Sequence, residues 1–285
     1  MEGRTTQELF IFYVLERWLA RLAASDHAGS FVLKGGMLLA VFGARRPTSD
    51  VDLLARHLAN DEATVRERVL EIALVSLDDG VEYLVDTITA QSIRDEDLYT
   101  GVRITMDCRL SGARAKLKLD INFGDPVTPE PLLIGLPSQR PGDPDVPVLG
   151  YPVETVLAEK TSTAIALGSA NSRVRDYVDL YTLTGKHSLA YQNMRAALDA
   201  TTAHRGVVLR PLSEAIGDLA IVRQSVYLAF KKRQGVDGIH LPDRFSEVVD
   251  AVVAFVDPLV SGVQGAWSPD DRQWNQSDTQ EIVEP

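Results

Sequence analysis

Two aspartates, Asp50 and Asp52, are the residues whose type and spacing could support chemistry most directly. Alternate side chains of a β-strand lie on the same face, so this spacing predicts that both carboxylates point the same way while Val51 and Leu53 face the core. Two such carboxylates repel each other unless a cation lies between them. Magnesium prefers oxygen ligands and takes one or two carboxylates together with substrate phosphates. The pair therefore indicates a magnesium site, although Asp-x-Asp also occurs on ordinary half-exposed strands.

A second predicted strand carries a third carboxylate. Residues 116–123 (KLKLDINF) alternate between polar and apolar side chains, which places Asp120 on the polar face of a half-buried strand. If this strand lies beside the first, Asp120 joins Asp50 and Asp52. Three carboxylates could hold two metal ions, one activating the attacking oxygen and the other stabilising the triphosphate and leaving group. We therefore predict that these three aspartates are metal ligands and catalytic residues.

A Lys-Gly-Gly sequence precedes the carboxylates. Lys34, Gly35 and Gly36 lie between a predicted strand at residues 31–33 and a predicted helix at residues 37–42. Glycines allow the backbone to approach a ligand closely, and the N–H groups at the start of a helix can hold phosphate oxygens. The spacing is not that of a Walker A loop. Taken alone, this sequence is more typical of a tight strand-to-helix turn.

The elements that must position these residues change in character along the chain. The first half combines predicted helices with predicted strands, and proline-rich residues 126–149 are expected to form a long ordered loop or a linker. Beyond this segment only helices are predicted. The predicted helices are 5–24, 61–77, 152–168, 173–184, 189–203, 209–232 and 243–260, and the later predicted strands are 49–54, 83–93, 101–110 and 114–123.

This order predicts an α+β fold, with an N-terminal mixed β-sheet domain flanked by helices and a C-terminal helical domain. We place the first domain at residues 1–150 and the second at residues 151–264. Residues 265–285 are polar and acidic, and we predict that this tail is disordered.

The composition limits the class of protein. The net charge of −11 argues against a basic surface that covers the whole molecule, although a local basic cleft could still bind phosphates. The single cysteine, Cys108, excludes an internal disulfide and a cysteine-based zinc site, and it reads as a small apolar strand residue. No apolar stretch is long enough to span a membrane, and the first residues lack a signal-peptide pattern. We therefore expect a cytoplasmic protein without a membrane partner.

The glycine turn and the carboxylates together resemble a known family. Residues 33–39 (LKGGMLL) followed by residues 46–53 (RPTSDVDL) are similar to the signature of the AbiEii toxins, a group within the polymerase-beta-type nucleotidyltransferases that includes the mycobacterial MenT toxins. The resemblance covers roughly residues 5–185. It implies a nucleotidyltransferase-like first domain, Mg²⁺ as the cofactor and an NTP as substrate. It also implies a set of nucleotide-binding residues in the first half: Lys34, Gly35, Gly36, Arg46, Thr48 and Ser49.

The second half contains a further charged group. Lys160 interrupts the apolar stripe of a predicted helix, so its ammonium either extends to water or binds an anion such as the triphosphate. Asp176 and Asp179 share a face of the next helix with Arg173, an arrangement that also occurs as local ion pairs on a solvated face. The resemblance implies catalytic roles for Lys160 and Asp179 and nucleotide contacts for Asp176 and for Arg173, with Arg175 as the other arginine that matches the position. Which of the two aspartates serves the site is left open.

The resemblance further implies that the chain is the toxin of a toxin–antitoxin pair, with a cognate antitoxin as partner. It would transfer nucleoside monophosphates to the 3′ acceptor end of tRNA and thereby block aminoacylation. Two alternatives stay open: transfer to a protein or small molecule, which the overall acidity favours, and a non-catalytic NTP-binding module. The basic residues expected to serve an RNA acceptor near the site are Arg45, Arg46, Arg56, Lys116, Lys118 and Lys160.

Overall fold

The computed structural model describes residues 5–95, 99–263 and 265–275 of the 285-residue chain. The chain divides into two compact units. The first comprises Met1–Pro152 with Gln234–Asp237, and the second comprises Val153–Arg233 with Gly238–Pro285. The first unit combines a β-sheet with helices and the second is mainly helical, so the predicted α+β class is confirmed.

The first unit contains three helices and eight strands among the described residues. Helix α1 begins with a capping box in which Thr5 and Glu8 satisfy each other's backbone N–H groups, and it buries Leu15, Trp18 and Leu19. The elements are α1 Thr6–Ala23, β1 Phe31–Lys34, α2 Gly35–Leu38, β2 Val51–Ala55, α3 Glu62–Ala73, β3 Val81–Tyr83, β4 Thr89–Asp95, β5 Tyr99–Leu110, β6 Ala113–Phe123, β7 Leu132–Leu136 and β8 Val146–Gly150.

These strands form one mixed sheet in the order β3-β5-β6-β2-β1-β8-β7, and β4 also pairs with β5. Strand β2 is central: it pairs with β6 in parallel and with β1 in the antiparallel direction. Strand β5 continues the sheet beyond β6 as its antiparallel neighbour. The predicted alternation on β6 is present, because Leu117, Leu119 and Ile121 are buried while the residues between them are part-exposed. The carboxylate-bearing strands β2 and β6 are therefore direct neighbours.

Four local expectations in this unit need correction. The predicted strand 83–93 is divided between β3 and β4. Residues 126–149 are not one long loop, because β7 and β8 form an antiparallel pair there. Pro147 is tolerated in β8 because β1 pairs with that strand only at Gly150, so the missing N–H breaks no ladder with β1. Strand β2 begins at Val51, after Asp50, and α2 is a single turn that begins at the glycines and not at residue 37.

The second unit is built around the long helix α10. This helix buries Val248, Val252, Phe255 and Leu259 along one stripe. The predicted helix 209–232 is in fact three short helices, because Gly217 adopts a φ of 52° between the first two. The elements are α4 Val153–Leu167, α5 Val174–Thr184, β9 Leu189–Ala190, α6 Tyr191–Arg205, α7 Leu212–Ile216, α8 Leu219–Val222, α9 Gln224–Arg233, α10 Phe245–Ser261, β10 Ala266–Ser268 and β11 Gln273–Asn275.

The prediction of a disordered tail is wrong for residues 265–275. Strands β10 and β11 form a hairpin that also pairs with β9. Trp267 is fully buried and donates from Nε1 to the carbonyl oxygen of Thr184 at 2.7 Å, while Trp274 stacks on Phe255. Two large aromatic side chains thus offset the polar composition around them. The rest of the predicted tail, residues 276–285, lies outside the described residues.

Two simpler expectations can be compared with the structure. Cys108 is buried in β5, and burial raises the pKa of its thiol to about 11, as suits an apolar strand residue and not a nucleophile. Among the described helices, none has both the length and the apolar character that crossing a membrane requires.

Candidate active site

Four charged residues lie in one row across four neighbouring strands. Lys34 of β1 is opposite Asp52 of β2, Asp52 is opposite Asp120 of β6, and Asp120 is opposite Arg103 of β5. Directly opposed residues on adjacent strands are close enough for their side chains to interact. The two aspartates at the centre are like charges, and each is flanked on its outer side by a cation. The row is the core of the candidate site.

Asp50 lies just before β2 and joins this row through Lys118. The Lys118 ammonium is 3.0 Å from Asp50 Oδ2 and 3.7 Å from Asp120 Oδ2, so it bridges two of the three predicted metal ligands. Thr48 donates from Oγ1 to Asp50 Oδ1 at 3.0 Å. Burial disfavours the ionised form of Asp50, but Lys118, Thr48 and Arg46 together outweigh it and hold the pKa of Asp50 below its usual value.

Asp120 is held by a residue that sequence reasoning missed. Arg103 donates from Nε to Asp120 Oδ1 at 2.7 Å and from Nη2 to Oδ2 at 2.8 Å, a bidentate pair that fixes the orientation of the carboxylate. The sequence shows Arg103 only as a polar residue between Val102 and Ile104. Its role becomes visible once the register between β5 and β6 is known.

Asp52 carries the clearest electrostatic signal. Burial, together with the neighbouring charges of Asp50 and Asp120, raises the pKa of its carboxyl to about 6, although the charges of Lys34 and Arg46 oppose the shift. A raised pKa means that the surroundings disfavour the third negative charge. The cluster of three carboxylates would therefore be stabilised by additional positive charge.

Lys34, which we predicted to bind nucleotide, already has a buried partner. Its ammonium is 2.8 Å from Asp125 Oδ2 and 5.1 Å from the centre of the Tyr151 ring. Asp125 was not predicted, because it lies between the predicted strand 114–123 and the proline-rich segment, with no pattern to distinguish it. The observed role of Lys34 is thus that of a buried cation beside Asp52.

The paired glycines make room for two site side chains. Gly35 has a φ of +65°, and a Cβ added there would lie 1.9 Å from Asp52 Oδ2. A Cβ on Gly36 would lie 2.8 Å from Thr48 Oγ1. Any larger residue at these positions would therefore displace Asp52 or Thr48. The contact of this turn with phosphate stays a prediction.

The remaining predicted residues of this segment differ in their surroundings. The charge of Arg46 lowers the pKa of both Asp50 and Asp52, which places its guanidinium near the carboxylates. Ser49 is exposed. The neighbouring Arg45 is used elsewhere, since its guanidinium lies 3.9 Å from the centre of the Phe12 ring on α1.

The second unit brings its four predicted residues together in a separate cluster. The Lys160 ammonium is 2.9 Å from Asp176 Oδ1 and 2.7 Å from Asp179 Oδ2, and Arg173 donates from Nε to Asp176 Oδ2 at 2.6 Å. Burial disfavours the ionised form of Asp176, yet Lys160 and Arg173 together hold its pKa far below its usual range. Lys160 thus binds both aspartates, and neither is distinguished as the one that serves catalysis.

The donor atoms at the sheet row suit a divalent cation. Asp50, Asp52 and Asp120 supply the carboxylate oxygens that Mg²⁺ prefers, and the raised pKa of Asp52 shows that burial and the nearby carboxylates disfavour its ionised form, which a bound cation would stabilise. Across residues 5–95, 99–263 and 265–275, no group of three or more His, Cys, Asp and Glu residues is arranged to hold a metal ion as it stands. Lys118 and Arg103 instead bind the oxygens of Asp50 and Asp120.

Comparisons with known proteins give one family and two structures. A family model described as "Nucleotidyl transferase AbiEii toxin, Type IV TA system" matches residues 17–255. The JHP933 protein of Helicobacter pylori is similar with 16% identity and a TM-score of 0.45, covering 80% of this chain and 95% of that one. A second H. pylori protein, provisionally described as a nucleotidyltransferase, has 15% identity and a TM-score of 0.42, with 80% and 98% covered. A search of curated proteins found no match.

Proposed function

Because this chain belongs to the AbiEii family of nucleotidyl transferase toxins of type IV toxin–antitoxin systems, we propose that it transfers a nucleoside monophosphate from an NTP to the 3′ end of tRNA. The observation that carries the enzymatic part is the row of Lys34, Asp52, Asp120 and Arg103 across the sheet, with Asp50 beside it. The family membership supports the toxin role and implies an antitoxin as partner.

In the proposed reaction an acceptor hydroxyl loses its proton to water and its oxygen bonds to the α-phosphorus of the NTP. The bond from the α-phosphorus to the oxygen that bridges to the β-phosphate breaks, which releases pyrophosphate. Asp50, Asp52 and Asp120 would hold Mg²⁺, which when bound supplies positive charge to the acceptor oxygen and to the polyphosphate. Arg103 fixes the orientation of Asp120, and Thr48 fixes that of Asp50. The chain therefore contributes mainly by positioning charged groups, which is what phosphoryl transfer demands of a protein.

The acceptor is the part of the proposal that rests on family membership. The basic residues Arg46 and Lys118 lie beside the carboxylates and suit an anionic substrate. The net charge of −11 gives a nucleic acid little general attraction, which favours a protein or small-molecule acceptor as the second candidate. The species that takes up the label, tRNA or else a protein or small molecule, distinguishes the two candidate acceptors.

The test is transfer of α-labelled nucleotide. The purified protein is incubated with Mg²⁺, total tRNA, lysate proteins and each of the four labelled NTPs in turn. We expect label on tRNA, no label after EDTA, and none on tRNA whose terminal ribose has been oxidised with periodate. Label on proteins in place of tRNA would establish the second candidate.

The cellular effect provides an independent test of the enzymatic role. Expression of the wild-type chain is expected to arrest growth, and Asp50→Ala is expected to abolish that arrest while the protein accumulates to the same level. Equal toxicity of Asp50→Ala would show that the chain acts as a non-catalytic module.

A further inference from the structure

Lys118 occupies an unusual position among the three candidate metal ligands. Its ammonium lies within 4 Å of oxygens from both Asp50 and Asp120, while its side chain is only part-buried at 30% exposure. Lys116, two residues earlier on the same face of β6, instead pairs with Asp107 at 3.3 Å and is 64% exposed. The position of Lys118 is therefore specific and not a general property of lysines on this strand.

The charges around the row balance without any added ion. Four carboxylates and four cations interact there, and their formal charges sum to zero. A neutral site attracts a free divalent cation weakly, because the favourable contacts with carboxylates are offset by the nearby cations. The eight groups are Asp50, Asp52, Asp120, Asp125, Lys34, Arg46, Arg103 and Lys118.

We propose that Lys118 is a built-in counterion that couples the binding of the divalent cation to the binding of the NTP. Its ammonium competes with the cation for Asp50 and Asp120, so the cation alone binds weakly. Once displaced, the ammonium is still tethered to β6 beside the site and binds the polyphosphate. This inference rests on the proposed nucleotidyltransferase function.

Cooperativity follows from this exchange of partners. Displacing Lys118 from two carboxylates costs free energy. When the cation binds alone, its own contacts with the carboxylates must offset this whole cost. When nucleotide is present, its phosphates give the ammonium new anionic partners, so the cost is smaller. The nucleotide should therefore tighten cation binding, and by linkage the cation should tighten nucleotide binding by the same factor. Lys118 would thus keep the site free of a divalent cation until the nucleotide binds.

The experiment measures binding of Mn²⁺, used as the probe ion, by electron paramagnetic resonance without turnover. Wild type, Lys118→Met and Lys118→Arg are titrated with Mn²⁺ alone and with each α,β-methylene nucleoside triphosphate, which cannot release pyrophosphate. We expect Lys118→Met to bind Mn²⁺ alone about tenfold more tightly than wild type, since removing one positive charge beside the ion is worth about 1.4 kcal/mol. Nucleotide should tighten Mn²⁺ binding strongly in wild type and Lys118→Arg, and only weakly in Lys118→Met.

Lys116→Met is the matched control, because it removes the same charge from the same strand at an exposed position. Its affinity for Mn²⁺ should stay within about threefold of wild type, since exposed charges are strongly screened. Thermal melting checks that each variant folds, and Lys118→Gln replaces the Met variant if that one does not.

The outcomes separate this inference from the proposed function. Mn²⁺ affinity that is unchanged or weaker in Lys118→Met, in a protein whose wild type still labels its acceptor, overturns the counterion role and leaves the function intact. If wild type transfers no nucleotide and binds no Mn²⁺, both the counterion role and the proposed function are wrong. Equal tightening by nucleotide in wild type and Lys118→Met also overturns the proposed coupling.

Discussion

Two clusters of aspartates with lysine and arginine partners occur in this protein, and they differ in electrostatic balance. In the second unit, Lys160 and Arg173 hold the pKa of Asp176 far below its usual range despite burial. In the first unit, burial together with Asp50 and Asp120 raises the pKa of Asp52 to about 6. Similar residue types therefore produce one cluster in which direct ion pairs stabilise the ionised form of a buried carboxylate, and one in which the ionised form of the central carboxylate is disfavoured.

The difference indicates different uses. A compensated buried ion-pair cluster contributes order and gains little from an added ion. A cluster that disfavours its own third charge is a stronger candidate for cation binding and catalysis, because perturbed titration is common at functional sites. We therefore expect activity to depend most on the sheet row and stability to depend most on Lys160 and its partners.

The largest expected effect is the loss of activity in Asp50→Asn. The variant retains the shape of the side chain but removes a carboxylate charge that the site needs, so transfer of labelled nucleotide should fall by about a thousandfold or more. Circular dichroism should show an unchanged fold. If Asp176→Asn lowers the transfer rate by the same factor at unchanged stability, the contrast between the clusters would be wrong.

Lys160→Met should cause the largest loss of stability. It leaves Asp176 and Asp179 buried at 2–3% exposure without their shared ammonium, and breaking a buried pair in this way typically costs about 3–5 kcal/mol. Urea unfolding at pH 7, followed by tryptophan fluorescence, measures the change. Lys118→Met removes a cation from the part-exposed Asp50 and should change the free energy of unfolding by about 1 kcal/mol or less.

Gly35→Ala should reduce activity without unfolding the protein. The new Cβ would overlap Asp52 Oδ2 at a position where φ is +65°, so the carboxylate must move. A displacement on the order of 1 Å can lower a rate about a hundredfold. Gly112→Ala is the control, because no heavy atom lies within 4 Å of its added Cβ, and a similar loss of activity there would remove the special role of Gly35.

Asp52→Asn should produce a smaller, pH-dependent gain in stability in the presence of EDTA. The pKa of Asp52 is about 6 in the folded protein and 3.8 in the reference state, so wild type loses stability as pH rises between these values. The variant avoids this loss and should be more stable by about 2–3 kcal/mol at pH 8, with no difference below about pH 4. Asp176 acts with the opposite sign, because its lowered pKa makes its contribution disappear as pH falls. If the variant and wild type have the same free energy of unfolding at pH 8, the ionised carboxylate of Asp52 does not destabilise the folded protein.

Local patterns in the sequence determined much of this protein. Alternation along β6 identified Asp120 and its buried neighbours, and the spacing of Asp50, Asp52 and the paired glycines supported the family that the comparison then showed. Helical periodicity located the long helices to within a few residues at most ends, because such periodicity is local and reflects one buried face.

Other features were decided by the tertiary structure alone. The ion pairs of Asp120 with Arg103, of Asp50 with Lys118 and of Lys34 with Asp125 depend on how the strands pair, which brings together residues that are far apart in the chain. The hairpin at residues 266–275 depends on a buried environment that its polar composition does not predict. Charge balance belongs to this second group, because the pKa of Asp52 is set by burial and by neighbours that only the folded sheet supplies.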